Sequence, residues 1–103
     1  MTEFTPTQWT KAHDYLFQHS RSLEQARYAF LFEDGPKDAV ILALTAFQNE
    51  DGGFGHGIEP DIRTPASSVI GTSTALHILR EIDIAADHPM LTRAAAYLAA
   101  QFD

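Results

Sequence analysis

Apolar residues recur along this chain at helical spacing in five stretches, each set off by polar, glycine or proline breaks. The first predicted helix has Thr5 as N-cap, Pro6 at the first helical position, Gln8 closing a capping box and Phe4 placed to staple onto Trp9. Its apolar face, Trp9, Ala12, Leu16 and Phe17, runs to the break at Ser20-Arg21-Ser22. Ser22 with Gln25 repeats the capping-box pattern ahead of Leu23, Ala26, Phe30 and Leu31, which predicts a second helix. After the turn signal Glu33-Asp34-Gly35-Pro36, a third is expected over roughly Lys37 to Phe47, with Asp38 in the first turn where the helix dipole favours it. Val40-Ile41-Leu42 alone would suit a buried strand, but three alanines and a length of about 11 residues favour helix. Being apolar nearly all round, this helix must be covered on most sides.

Residues 48 to 66 hold four of the six glycines and two of the five prolines, enough to end regular structure and form a long ordered loop. Ser67 or Ser68 then caps a fourth helix, Val69 to Ile82, with Val69, Leu76, Leu79 and Ile82 on one face and a polar stripe of Ser73, His77, Arg80 and Glu81. Asp87-His88-Pro89 starts the fifth, along which Leu91, Ala94, Ala95, Leu98, Ala99 and Phe102 keep helical spacing. No strand is needed anywhere. The expected fold class is all-α, with the helices paired as hairpins in a single domain over residues 1–103.

The loop opens with Gln48-Asn49-Glu50-Asp51-Gly52-Gly53-Phe54-Gly55, and its first residue has a counterpart 53 residues later in Gln101-Phe102-Asp103; each follows an alanine-rich apolar helix. A period of about 50 residues holds one helical hairpin with its loops, a unit that buries its apolar face only against neighbours. The motif has a structural meaning of its own. Gln48 can donate and accept where helix ends leave backbone groups unpaired, Gly52 and Gly53 permit angles other residues avoid, Phe54 can pack against the turn, and Asp51 can cap an adjacent helix.

This octet resembles the Q-x-x-D-G-G-W-G repeat, the QW motif of the squalene cyclase and protein prenyltransferase superfamily, with Phe54 in place of the usual Trp. Ala43-Leu44 before Gln48 and Thr74-Ala75-Leu76 after the loop extend the likeness over about Asp38 to Asp103. The resemblance implies part of an α/α toroid, in which inner helices surround a central cavity and outer helices form the rim, with Thr74, His77 and Glu81 bordering that cavity. It further implies an isoprenoid or other small apolar ligand. The motif beginning at Gln101 stops at Asp103, before its glycines and aromatic, so an incomplete toroid is expected, completed by further repeats of the same protein or by self-association. The family's acidic D-x-D-D signature finds only a faint echo in Glu59-Pro60-Asp61. Its zinc site needs a cysteine, and the chain has none.

The densest group of ionisable residues is His56-Gly57-Ile58-Glu59-Pro60-Asp61-Ile62-Arg63-Thr64. A histidine beside two carboxylates is suited to proton transfer or to a divalent ion, with Arg63 orienting an anionic group, so His56, Glu59, Asp61 and Arg63 are the candidate catalytic residues. The structural alternative has Asp61 and Arg63 paired or capping, with His56 in solvent. His77, between Thr74 and Glu81 on the fourth helix, reads as a hydrogen-bonded interior histidine. No metal site or cofactor motif is legible: the five histidines make no H-E-x-x-H pair, the calcium-loop pattern fails, and an acidic loop suits no phosphate cradle. A carbohydrate-active toroid using Glu59 and Asp61 is the alternative activity, and a non-catalytic helical scaffold the third reading. Seven Lys and Arg against 14 Asp and Glu leave a net charge of −7, which disfavours nucleic acid and polybasic membrane contact. With no run near the ~18 apolar residues of a membrane span and no leader-like start, a soluble cytoplasmic protein is expected.

Overall fold

The structure, a computed structural model, describes residues 5–8, 10–11, 21–59 and 64–102. Of these, 61% are helical and none lies in a strand, so the described residues are all-α. Four helices are complete: α1 (Ser22–Phe32), α2 (Lys37–Thr45), α3 (Val69–Glu81) and α4 (Pro89–Gln101). Residues 6–8 and 10–11 are also helical. The chain divides into two compact units, residues 1–40 and 41–103, with the division falling inside α2.

In the first unit, Thr5 and Gln8 form the expected capping box. The Thr5 N–H donates to Gln8 Oε1 at 2.9 Å and the Gln8 N–H returns to Thr5 Oγ1 at 3.2 Å. The staple of Phe4 on Trp9 and the face built from Ala12, Leu16 and Phe17 lie outside the described residues. The second capping box does not form. Arg21, not Ser22, is the N-cap of α1, and it offers no side-chain bond to the helix backbone. Instead its guanidinium grips Glu24 in the first turn, Nε donating at 3.1 and 2.9 Å to the two carboxylate oxygens and one terminal nitrogen adding a third bond. An acid at that place also faces the positive end of the helix dipole. At the other end of α1, Asp34 rather than glycine takes the left-handed conformation (φ 55°), and the Gly35 N–H reaches back to Ala29 O at 2.8 Å. Gly35 is there for closeness, since a Cβ on it would lie 2.8 Å from that of Ala29.

The second unit is built around a hairpin of α3 and α4. Ser68 is the cap of α3, its hydroxyl accepting from the Gly71 N–H at 2.9 Å. The buried face of that helix is Gly71, Thr72, Ala75, Ile78 and Leu79, continued by Ile82; the sequence expectation placed Val69 and Leu76 there, but Val69 is exposed and Leu76 half-buried. The difference is a rotation of the face by about one position, forced by two small residues, Gly71 and Thr72, that admit a neighbouring backbone. α4 starts with His88 as N-cap, its Nδ1 accepting from the Met90 N–H at 3.1 Å, and Pro89 in the first position. Its buried side chains are Met90, Ala94 and Tyr97, whereas Phe102, expected on the apolar face, is 77% exposed. α2 ends at Thr45, two residues before the expected Phe47.

Candidate functional site

The motif residues Gln48 to Gly55 fall in the second unit, in a turn that connects the end of α2 to both helices of the hairpin. The backbone sets its shape. The Asn49 N–H donates to Gly53 O at 2.8 Å and the Gly52 N–H to Asn49 O at 3.0 Å, closing a tight reversal in which Gly52 has φ +88°. Only glycine takes that angle without strain, and a Cβ there would also stand 2.3 Å from Arg93 O. Gly53 lies between Ser67 and Tyr97, which a Cβ would meet at 2.6 and 2.8 Å. Phe54 is the hub, bridging Gln48 on one side and Ser68 on the other in two isolated β-bridges, with its ring fully buried.

Side chains then saturate the turn. Gln48 Nε2 donates to Gly52 O at 3.0 Å within the turn and to Met90 O at 3.2 Å in the first turn of α4. Asp51 Oδ1 accepts from the Gly53 N–H at 2.9 Å and from the Ser67 hydroxyl at 2.7 Å, so it caps the turn itself and not a neighbouring helix as expected. Asn49 Nδ2 donates to Pro65 O at 3.0 Å and to Ser67 Oγ at 2.9 Å. From α4, Arg93 donates to Asn49 O and Glu50 O at 3.0 and 3.2 Å and to Gln48 Oε1 at 3.4 Å. Among the described residues no buried side-chain polar atom lacks a partner, which is what a structural joint of this kind requires.

Three residues of this joint carried no assigned role in the sequence reading. Thr72 is completely buried; its hydroxyl accepts from the Phe54 N–H at 2.9 Å and donates to Ser68 O at 2.7 Å, which satisfies the hub of the turn. Its signal was a hydroxyl among apolar positions on the buried face of α3. Asn49 and Arg93 gave no such signal, because their partners are backbone carbonyls distant in sequence.

Of the four candidate catalytic residues, Asp61 and Arg63 lie outside the described residues. His56 and Glu59 each bind a different neighbour. His56 is exposed in the left-handed region (φ 57°), and its Nε2 stands 2.6 Å from Asn49 Oδ1. With the Asn49 amide nitrogen committed as a donor, its oxygen is the acceptor, so His56 Nε2 carries the proton. The His56 N–H donates to Thr64 O at 3.0 Å and closes the loop. Glu59 is half-buried and accepts from the Thr74 hydroxyl at 3.3 Å. His77, expected as an interior histidine, is exposed on α3, because the rotated face of that helix turns position 77 outward. Of the cavity candidates, Thr74 is half-buried and Glu81 exposed. Among the described residues no group of three or more His, Asp or Glu stands close enough to hold a metal ion, and no helix is long and apolar enough to cross a membrane. Compared with protein-family models, curated proteins and solved structures, the chain finds no match.

Proposed function

We propose that this chain is a repeat segment of an α/α toroid of the squalene cyclase and protein prenyltransferase type, contributing wall to a cavity that takes an isoprenoid or similar apolar ligand. The observation that supports this best is the two-way bond of Gln48, which ties its own turn at Gly52 O to the first turn of α4 at Met90 O. Such a joint locks the end of one hairpin to the start of the next rim helix, and a repeat array needs one in every unit. In this reading α3 is an inner helix and α4 an outer one. Ile70, 57% exposed, then lies with Thr74, His77 and Glu81 on the cavity side. His56 and Glu59, tied to Asn49 and Thr74, shape the loop, so this segment serves as wall and not as reaction centre.

Thermal shift on the full chain tests the ligand class. Geraniol raises the melting temperature in a saturable manner, and Ile70→Asp abolishes the rise. Stabilisation by a hexasaccharide would transfer the reading to a carbohydrate-active toroid, and no response to either compound would leave a helical scaffold.

A further inference from the structure

One flank of α3 carries three polar side chains that find no partner among the described residues. Ser73, His77 and Arg80 follow at intervals of four and three residues, so they share a face, and with Leu76 they line a depression of about 240 Å3. Among the described residues no hydrogen bond or ion pair engages the side chain of Ser73, His77 or Arg80. For Arg80 this is unusual given its surroundings. Residues 41–103 contain eight Asp and Glu against three arginines and no lysine. Arg93 is engaged by the turn, and Arg63 lies outside the described residues. Glu81 and Asp83, the acids nearest to Arg80 in sequence, have interactions of their own. A hydroxyl, an imidazole and the five N–H groups of a guanidinium therefore face one depression as available donors.

A second depression, about 280 Å3, lies beside the first. It shares Leu76 and Arg80 and is otherwise lined, among the described residues, by Ile84, Ala86 and Leu91, with Asp83 as the one carboxylate. Each alone falls below the ~300–1,000 Å3 of a ligand pocket, but they share Leu76 and Arg80, and taken as one groove they offer one polar end and one apolar end.

We propose that this groove is a site for a small amphiphilic anion. A phosphate or carboxylate head group binds Ser73, His77 and Arg80, and a short apolar tail lies over Leu76, Ile84, Ala86 and Leu91. The planar fork of the arginine matches either oxyanion with two parallel N–H bonds. Asp83 repels the head group from the apolar end and so fixes the orientation. The site sits on the α4 side of α3, because Leu91 belongs to α4; it shares His77 with the cavity face of the toroid reading, but Ser73, Arg80 and the apolar end lie outside that face, which otherwise contains Ile70, Thr74 and Glu81.

Titration of the full chain, followed by backbone amide NMR, tests the site with four probes: hexyl phosphate, hexanoate, inorganic phosphate and hexanol. The expected result is saturable shifts at Ser73, His77, Arg80, Ile84 and Leu91 with hexyl phosphate or hexanoate, at least tenfold tighter than with inorganic phosphate or hexanol. The stronger of the two hexyl anions identifies the head group. Arg80 is exposed, so Arg80→Gln leaves the melting temperature unchanged while weakening the binding at least fivefold. Ala86→Asp, also at an exposed position, weakens the hexyl anions and spares inorganic phosphate. Inorganic phosphate binding as tightly as hexyl phosphate, unaltered binding in Arg80→Gln, or no saturable shift at these residues would each overturn the proposal.

Discussion

Gly53 and Glu50 are three residues apart in one turn and respond to substitution in opposite ways. A Cβ on Gly53 would come within 2.6 Å of Ser67 Cβ and 2.8 Å of the Tyr97 ring, so a branched side chain must displace the loop or α4. Gly53→Val is expected to cost about 1–3 kcal/mol, the range of an overpacked buried position. Glu50 is exposed, and only its backbone carbonyl is used, by Arg93, so Glu50→Ala should stay within ~0.5 kcal/mol of the parent. Urea unfolding of both variants checks this, and equal midpoints would remove the structural role assigned to the glycine pair. At this scale the sequence was informative about backbone permissiveness, because two adjacent glycines between an acid and an aromatic point to a tight turn packed closely against its surroundings. It was silent about partners. Asp51 is expected to cap a helix, and only the position of Ser67, 16 residues away, shows that it caps the turn.

Helix ends are decided by local chemistry, and most of the caps were legible for that reason. Thr5 with Gln8, Ser68 and the Asp87-His88-Pro89 start each need only neighbours within three residues. The start of α1 differs because Arg21 supplies an ion pair where Ser22 offered a weaker cap. That pair makes α1 sensitive to acid. Partial burial pushes the Glu24 carboxyl up, but the hydrogen bond and charge of Arg21, with smaller help from the Glu24 backbone and from Arg27, hold it below its ordinary value. A depressed carboxylate contributes stability that is fully present above the unfolded-state pKa and is lost as pH falls through the lower folded value. Glu24→Gln should therefore lower stability at neutral pH by only ~0.3–1 kcal/mol, the range for a partly exposed pair. The difference between the variant and the parent should then shrink as the pH falls below the ordinary carboxyl range near ~4.3 and on through the lower folded value. Thermal melts at pH 7 and at successively lower pH provide the measurement, and a difference that does not shrink on acidification would assign the effect to something other than this charge. Burial within helices was less legible than their ends. The faces of α3 and α4 are rotated from the simple apolar pattern because Gly71, Thr72 and Tyr97 are chosen by what packs on them, and that information is not local.

For the whole molecule, the expectation that differs most between an isolated bundle and a repeat segment concerns the surface. Residues 41–103 expose Leu42 at 73%, Ile70 at 57% and Phe102 at 77%, on three different helices or their ends. Single exposed apolar residues are ordinary, but a repeat unit presents them on the sides where neighbouring units stack. The helical periodicity of the sequence shows that these positions are apolar without showing what lies against them, because contacts between repeats leave no trace in the period of any one helix. If the proposed toroid reading holds, the 103-residue chain associates with copies of itself through these sides, and sedimentation velocity shows a weight-average mass that rises with concentration. Replacing Leu42, Ile70 and Phe102 together by Gln should return the chain to a monomer without loss of helix content, since none of the three is buried. Circular dichroism on the same samples separates loss of association from loss of fold. A parent chain that sediments as a monomer at every concentration would favour a self-contained helical scaffold, with the Gln48 joint serving only to hold the end of α2 against its own hairpin.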